Sequence, residues 1–248
     1  MKKKYEKPNL TYFFIILFIV IFVLQVYFGF SYGENFINEI FSRYGFSLQN
    51  VLDGKVEVFL TSIFLHGDAS HLILNMVALY FFGRVIELEL GRKKFLMIFF
   101  ISAIVGNLAV LTSTIIGYGS AVIPTIGASA AIFGLVGTGM LAKPFEFIFY
   151  PYLIPVPLIL VALIYTLYNL AEFFVAITIG ASSNVSYVSH IGGLIAGMIF
   201  GFRQEGSRRG LLVLLLLLLL MILTPFVFII FNYLEFFNYV GLLSKVFG

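Results

Sequence analysis

The chain has 248 residues, 61% hydrophobic and 11% charged, against roughly 45–50% and about 25% in soluble domains. With a mean hydropathy of +1.06, it reads as a polytopic membrane protein rather than a globular enzyme carrying one anchor. It has no cysteine, which excludes disulfides, thiol nucleophiles and thiolate metal sites, and its net charge of +3 informs only through where the charges lie.

Lys2, Lys3, Lys4 and Lys7 precede an apolar run over 11–30. That run is long enough for one crossing of ~20 residues. It is too long for a cleavable signal and lacks the small-residue cleavage site. In the mixed stretch 31–68, Phe36, Ile37, Ile40 and Phe41 recur in helical rhythm among Glu34, Glu39 and Arg43. This pattern predicts a long loop with short amphipathic helices at the membrane interface. Further spans are predicted over about 70–90, 95–116, 127–142, 152–178, 187–202 and the Leu-rich 210–231. The expected fold is therefore an all-α polytopic bundle without internal repeats.

Orientation follows from lysine and arginine. Alternating the spans places Lys2, Lys3, Lys4, Lys7, Arg92, Lys93, Lys94, Lys143, Arg203, Arg208 and Arg209 on one side, and Arg43, Lys55 and Lys245 on the other. The positive-inside rule makes the first side cytoplasmic. With seven spans, the N-terminus is then inside and the C-terminus outside.

Polar residues fall on this map together. His66 precedes span two, His71 lies at its outer end, and Asn75 follows one turn on along the same face. Ser129 stands at the outer end of span four and His190 at that of span six. All share one depth below the outer surface, where polar side chains are costly and face a bundle interior or a wet cavity. Ser129 sits among Gly127, Ala128 and Ala130 at a helix start, a favourable place for an acyl-transfer nucleophile. Serine and glycine are also ordinary packing residues between membrane helices, so the segment alone is undecided. Spacings of 3, 4 and 4 put His190, Gly193, Gly197 and Gly201 on one stripe, matched by Ser129, Phe133 and Gly137 on span four. Close packing of the two brings His190 to Ser129 as a general base beside a nucleophile. Phe133, one turn below the serine, is placed to stack on the imidazole.

Three motifs now stand in order: HGDASHLILN (66–75), GASA (127–130) and SHIGGLIAG (189–197). Together they resemble the rhomboid family of intramembrane serine proteases, over about residues 10–202. The resemblance implies a six-helix core (1–202, with the interfacial loop 31–68) and one extra C-terminal transmembrane helix with its tail (203–248). It implies a Ser129–His190 dyad without an acid, and His71 and Asn75 joining the Ser129 N–H as oxyanion donors. His66 would brace the interfacial loop, Glu87 would tie helices together, and Gly127 and Ala128 would line the substrate strand. The implied activity is endopeptidase cleavage of transmembrane segments near the outer face, with a small residue before the cut. The expected partners are transmembrane protein substrates and the lipid bilayer. No metal, cofactor or nucleic acid is expected, and the expected location is a prokaryotic cell membrane.

Two positions depart from the family pattern. Ala130 stands where the family usually has glycine, and Glu57-Val58 stand where a Trp-Arg pair anchors the first loop. A metal-dependent protease would need a motif of the HExxH type, whereas His66 and His71 are five apart with no acid in the required place. A transporter would show broken helices in corresponding halves. The rival reading is an inactive rhomboid-like protein that binds membrane helices; such proteins typically lack the serine or the histidine.

Overall fold

The computed structural model describes residues 8–117, 120–143, 145, 147–150, 154–179 and 186–205, with 215, 219 and 223. Of 147–150, 154–156, 170, 172–179 and 204–205 only the backbone is described. The first apolar run forms α1 (Asn9–Tyr32), and the interfacial stretch forms α2 (Glu34–Tyr44), α3 (Leu48–Leu52) and α4 (Val58–Thr61). The second run is α5 (Ala69–Ala78) and α6 (Arg84–Leu90), joined by a wider π-helical turn over Leu79–Gly83. Then come α7 (Arg92–Ile115), α8 (Ser129–Ala142), α9 (Leu158–Ile179) and α10 (Tyr187–Glu205). Asn9–Tyr32, Ala69–Leu90 and Arg92–Ile115 are each long and apolar enough to cross a bilayer, and the chain is a multi-pass membrane protein.

The bundle is helical, as expected, with one short addition in the connection after α8: Phe147–Tyr150 (β1) pairs antiparallel with Ile154–Pro157 (β2), Phe147 opposite Pro157 and Tyr150 opposite Ile154. Two helix starts differ from the expected ones. Pro155 and Pro157 lack the N–H a helix needs and disfavour helix in the residues before them. The fifth helix therefore starts at Leu158, not near 152. The fourth starts at Ser129, because Gly127 takes a positive φ of 115° that no helix contains. The Leu-rich run lies outside the described residues, except that Leu215, Leu219 and Leu223 are helical and exposed.

The core is built around α8, whose fourteen residues are all buried. Its Ser, Ala, Gly and Thr positions leave room for neighbours on every side, so it has no lipid-facing stripe. Helix α10 lies against it almost backbone to backbone. A Cβ on Gly197 would lie 1.9 Å from the Gly134 carbonyl oxygen, and one on Gly193 would lie 2.1 Å from that of Ala130. Thr138 Oγ1 sits 2.9 Å from both the Gly134 and Gly197 carbonyl oxygens, bridging the seam. Helix α7 also packs closely here, with Ser102 against Gly134. Phenylalanines of α1 and α7 fill the next layer, with Phe14 stacked on Phe99 at 5.0 Å.

The interfacial stretch is tied down at several points. Phe46 and Thr125 exchange two backbone hydrogen bonds (2.9 and 2.7 Å), and the Gln49 N–H donates to Ala121. Asn107 of α7 donates to the Phe59 carbonyl. Gln25 of α1 donates to the His66 carbonyl and accepts from its N–H. Phe46 packs edge-on against Phe59 at 4.8 Å. These contacts hold the first loop where the family's Trp-Arg pair is missing; Val58 itself is fully buried.

Glu87 joins α6 to the start of α1. Its carboxylate accepts from the Leu10 and Thr11 N–H groups and from the Thr11 hydroxyl, at 2.8–2.9 Å, with Arg92 Nε 3.7 Å away. The first-turn N–H groups of a helix lack intrahelical partners and favour an anion. Glu87→Ala leaves buried donors unpaired and is expected to cost about 1–3 kcal/mol. Glu87→Gln, which keeps an acceptor, should cost less. Thermal unfolding in detergent micelles measures both, and equal stability of the alanine variant and wild type would contradict the clamp.

Candidate active site

Asp68 starts α5. Its Oδ1 accepts from the His71 N–H at 2.8 Å and from the Ser70 hydroxyl. These two donors, the hydroxyl first, hold its carboxyl below the usual carboxylate range. The only carboxylate in the HGDASHLILN motif is thus spent capping a helix. The cap sets the first turn, and so the directions of His71 and, one turn on, Asn75.

The chain reaches Ser129 through a tight approach. The Gly127 N–H donates to the Ser62 carbonyl at 2.8 Å. At a φ of 115° a side chain would be strained, and its Cβ would lie 2.7 Å from His71 Cε1, 2.8 Å from His71 Nε2 and 3.7 Å from Asn75 Nδ2. His71 and Asn75 therefore converge on the backbone two residues before the serine, and Asn75 Nδ2 is buried there without a hydrogen-bond partner. Ser129 opens α8, so its N–H has no partner within the helix. Ala128 is fully buried.

His190 lies in the first turn of α10. Its Nε2 is 2.7 Å from Ser129 Oγ, and both residues are only 6% exposed. The imidazole lies flat on Phe133, with centroids 4.6 Å apart and planes 16° apart. Phe133 lies flat on Tyr165 of α9 at 4.8 Å and 18°. Gly193 lets α10 meet the Ala130 carbonyl. A Cβ on Gly106 of α7 would lie 2.6 Å from the Ala130 methyl, so the alanine at this family glycine position is accommodated by a glycine opposite it.

His66 is fully buried with its ring edge-on to Phe18 at 5.6 Å and to His71 at 5.2 Å. Burial, and after it the neighbouring His71, push it down to about 3, so the ring is neutral. It sits behind His71 and packs the loop to α1.

One contact was not read from the sequence. Asn169 of α9 places Oδ1 2.7 Å from His190 Nδ1. A signal existed: an asparagine in an apolar span is costly and needs a partner. No spacing rule links it to His190, 21 residues away on another helix.

This arrangement combines a hydroxyl on an imidazole nitrogen, a ring held on its face, and polar groups gathered around one positive-φ glycine. Comparison with known proteins identifies the family. The family model described as Rhomboid domain matches residues 53–206, more than half of the chain. The chain is 28% identical over 174 residues to RHOMBOID-like protein 12, mitochondrial, of Arabidopsis thaliana, covering 65% of this chain and 50% of that one. It is 31% identical over 192 residues to Rhomboid protease GluP of Bacillus subtilis, covering 77% and 34%. It is also 39% identical over 79 residues to Inactive RHOMBOID-like protein 8 of Arabidopsis thaliana, covering 32% and 20%. The chain spans at most half the length of these curated relatives. The relatives include proteases and a member named inactive, and on the match across 53–206 this chain belongs to the rhomboid family.

Proposed function

We propose that the protein is an intramembrane serine endopeptidase that cuts transmembrane segments of membrane proteins near the outer face of the bilayer. The observation that carries this reading is the 2.7 Å contact between Ser129 Oγ and His190 Nε2, made by two helices that glycines bring into backbone contact. A relative named inactive is on record, but this chain keeps both side chains and keeps them touching.

In the proposed reaction, a substrate segment unwinds beside Gly127, because a helix's carbonyls are hydrogen-bonded and shielded. Helix-breaking residues in the substrate favour this. Ser129 Oγ attacks the scissile carbonyl carbon while its proton passes to His190 Nε2. The C–N bond then breaks and the same proton goes to the leaving amine. Water then attacks the acyl-enzyme while His190 takes its proton; the C–Oγ bond breaks, His190 returns that proton to Ser129 Oγ, and the new carboxyl group leaves. His71, Asn75 and the Ser129 N–H are the proposed donors to the oxyanion, each contributing roughly 3–4 kcal/mol to transition-state binding. The unpartnered Asn75 Nδ2 supports its place among them. Six helices (1–202) form the catalytic unit and 203–248 adds a seventh. The lysine and arginine distribution supports a cytoplasmic N-terminus and a site toward the outer face, and the proposed location is a prokaryotic cell membrane.

The test is to incubate the purified protein in liposomes with a single-pass test protein and sequence the new terminus. A cut at the outer part of the transmembrane segment is expected, unchanged by a metal chelator, with a fluorophosphonate probe attached to Ser129. An intact test protein together with an unlabelled Ser129 would reject the proposal in favour of the helix-binding alternative.

A further inference from the structure

We infer that Asn169 is a positioning residue: from α9 it holds the His190 imidazole in the Nδ1–H tautomer, with the Nε2 lone pair directed at the Ser129 hydroxyl. The inference rests on reading Ser129 and His190 as nucleophile and base. Two hydrogen bonds establish it. Asn169 Nδ2 donates to the Tyr165 carbonyl, one turn earlier on the same helix, at 2.9 Å. A carbonyl only accepts, so the NH2 end of the amide belongs there and Oδ1 faces α10. That oxygen is 2.7 Å from His190 Nδ1. An amide oxygen also only accepts, so Nδ1 carries the proton and donates it. In a neutral imidazole the other nitrogen is then bare, and it is Nε2 that lies 2.7 Å from Ser129 Oγ.

The opposite tautomer would present an N–H to the serine oxygen and could not take its proton. One turn of α9 thus controls the base twice. The Tyr165 carbonyl orients the Asn169 amide that meets the imidazole edge, and the Tyr165 ring backs Phe133, which covers the imidazole face. When the serine proton arrives on Nε2, Nδ1–H goes on donating to Oδ1. A neutral amide dipole steadies the imidazolium there without the desolvation cost of a second buried charge. The group is therefore a Ser–His–Asn line across three helices, α8, α10 and α9, rather than a dyad alone.

The chain has three histidines, which makes the tautomer directly observable. In ¹⁵N spectra of histidine-labelled protein in micelles, with His190 identified by its loss in His190→Gln, Nδ1 should appear protonated and Nε2 bare. Asn169→Leu, similar in size but without an acceptor, should shift His190 toward Nε2–H. It should lower kcat by roughly 10- to 100-fold with KM within about twofold. Asn169→Asp, which keeps the acceptor, should retain the Nδ1–H signal and recover most of the lost kcat. A wild-type Nε2–H tautomer overturns the inference, as does an unchanged tautomer and kcat in Asn169→Leu. Equal losses in the leucine and aspartate variants with the tautomer unmoved also reject it. If Asn169→Leu does not fold, the wild-type and Asn169→Asp spectra decide. If no form cleaves any substrate, the protease reading falls while the spectra still judge Asn169.

Discussion

Ser129→Ala and His190→Ala are each expected to lower cleavage of a single-pass test protein by on the order of 10⁴–10⁶-fold, and the double variant to be no slower than the worse single one. The reason lies in the contact itself. The serine hydroxyl is a weak nucleophile until a base takes its proton, and the imidazole at 2.7 Å is useful only while that hydroxyl is present. Residues that act as one unit do not contribute additively, so removing either removes the function of both. Stability separates this from a packing effect. Ser129→Ala deletes one oxygen and one buried hydrogen bond without opening a packing gap, so its loss of stability should stay at about 1 kcal/mol. His190→Ala also removes the ring stacked on Phe133 and should lose some stability. The measurement is initial cleavage rate alongside thermal unfolding for the three variants. Multiplying single effects, or a Ser129→Ala variant keeping a tenth of the activity, would contradict the proposed mechanism.

Gly197→Ala should be among the most destabilising single substitutions in the chain although it adds one methyl group. The new Cβ would lie 1.9 Å from the Gly134 carbonyl oxygen, 2.6 Å from its carbonyl carbon and 2.7 Å from its Cα. These are backbone atoms inside a helix that is itself buried on all sides, so no side chain can swing away. Ser102 of α7 also packs on Gly134, so α8 has little room to adjust. The two helices must part, breaking the Thr138 bridge to the Gly197 carbonyl and drawing His190 from Ser129. A loss of about 3 kcal/mol or more is expected, with cleavage activity falling in parallel. Ile195→Ala, two residues away on the exposed face, is the control and should change little. Chemical unfolding in micelles reads both, and an unaffected Gly197→Ala would show that α8 and α10 are not in backbone contact.

Composition and pattern in one dimension determined much of this protein. Apolar run lengths set most of the helices, and shared depth gathered His71, Asn75, Ser129 and His190. The 3-4-4 glycine spacing on α10 identified the face that meets α8. These features are legible because a bilayer forces a linear code: span length, side of the membrane and helical face all follow from residue order.

What the sequence did not yield depends on which helices are neighbours and on local backbone shape. Pro155 and Pro157 were visible, yet whether they shorten a span or start a hairpin depends on a pairing strand. Gln25 lies within the apolar run 11–30 and is not singled out there, and only packing of α1 against the loop gives it both backbone groups of His66 to bind. Glu87 is expected from the resemblance to tie helices together, but its partner, the start of α1 76 residues earlier, is a contact no periodicity encodes. Asn169 came to matter in the same way. Residue order places an amide on α9 and an imidazole on α10, but only tertiary packing turns Oδ1 toward Nδ1, because hydrogen-bond direction is set by three-dimensional distance and angle rather than by separation along the chain.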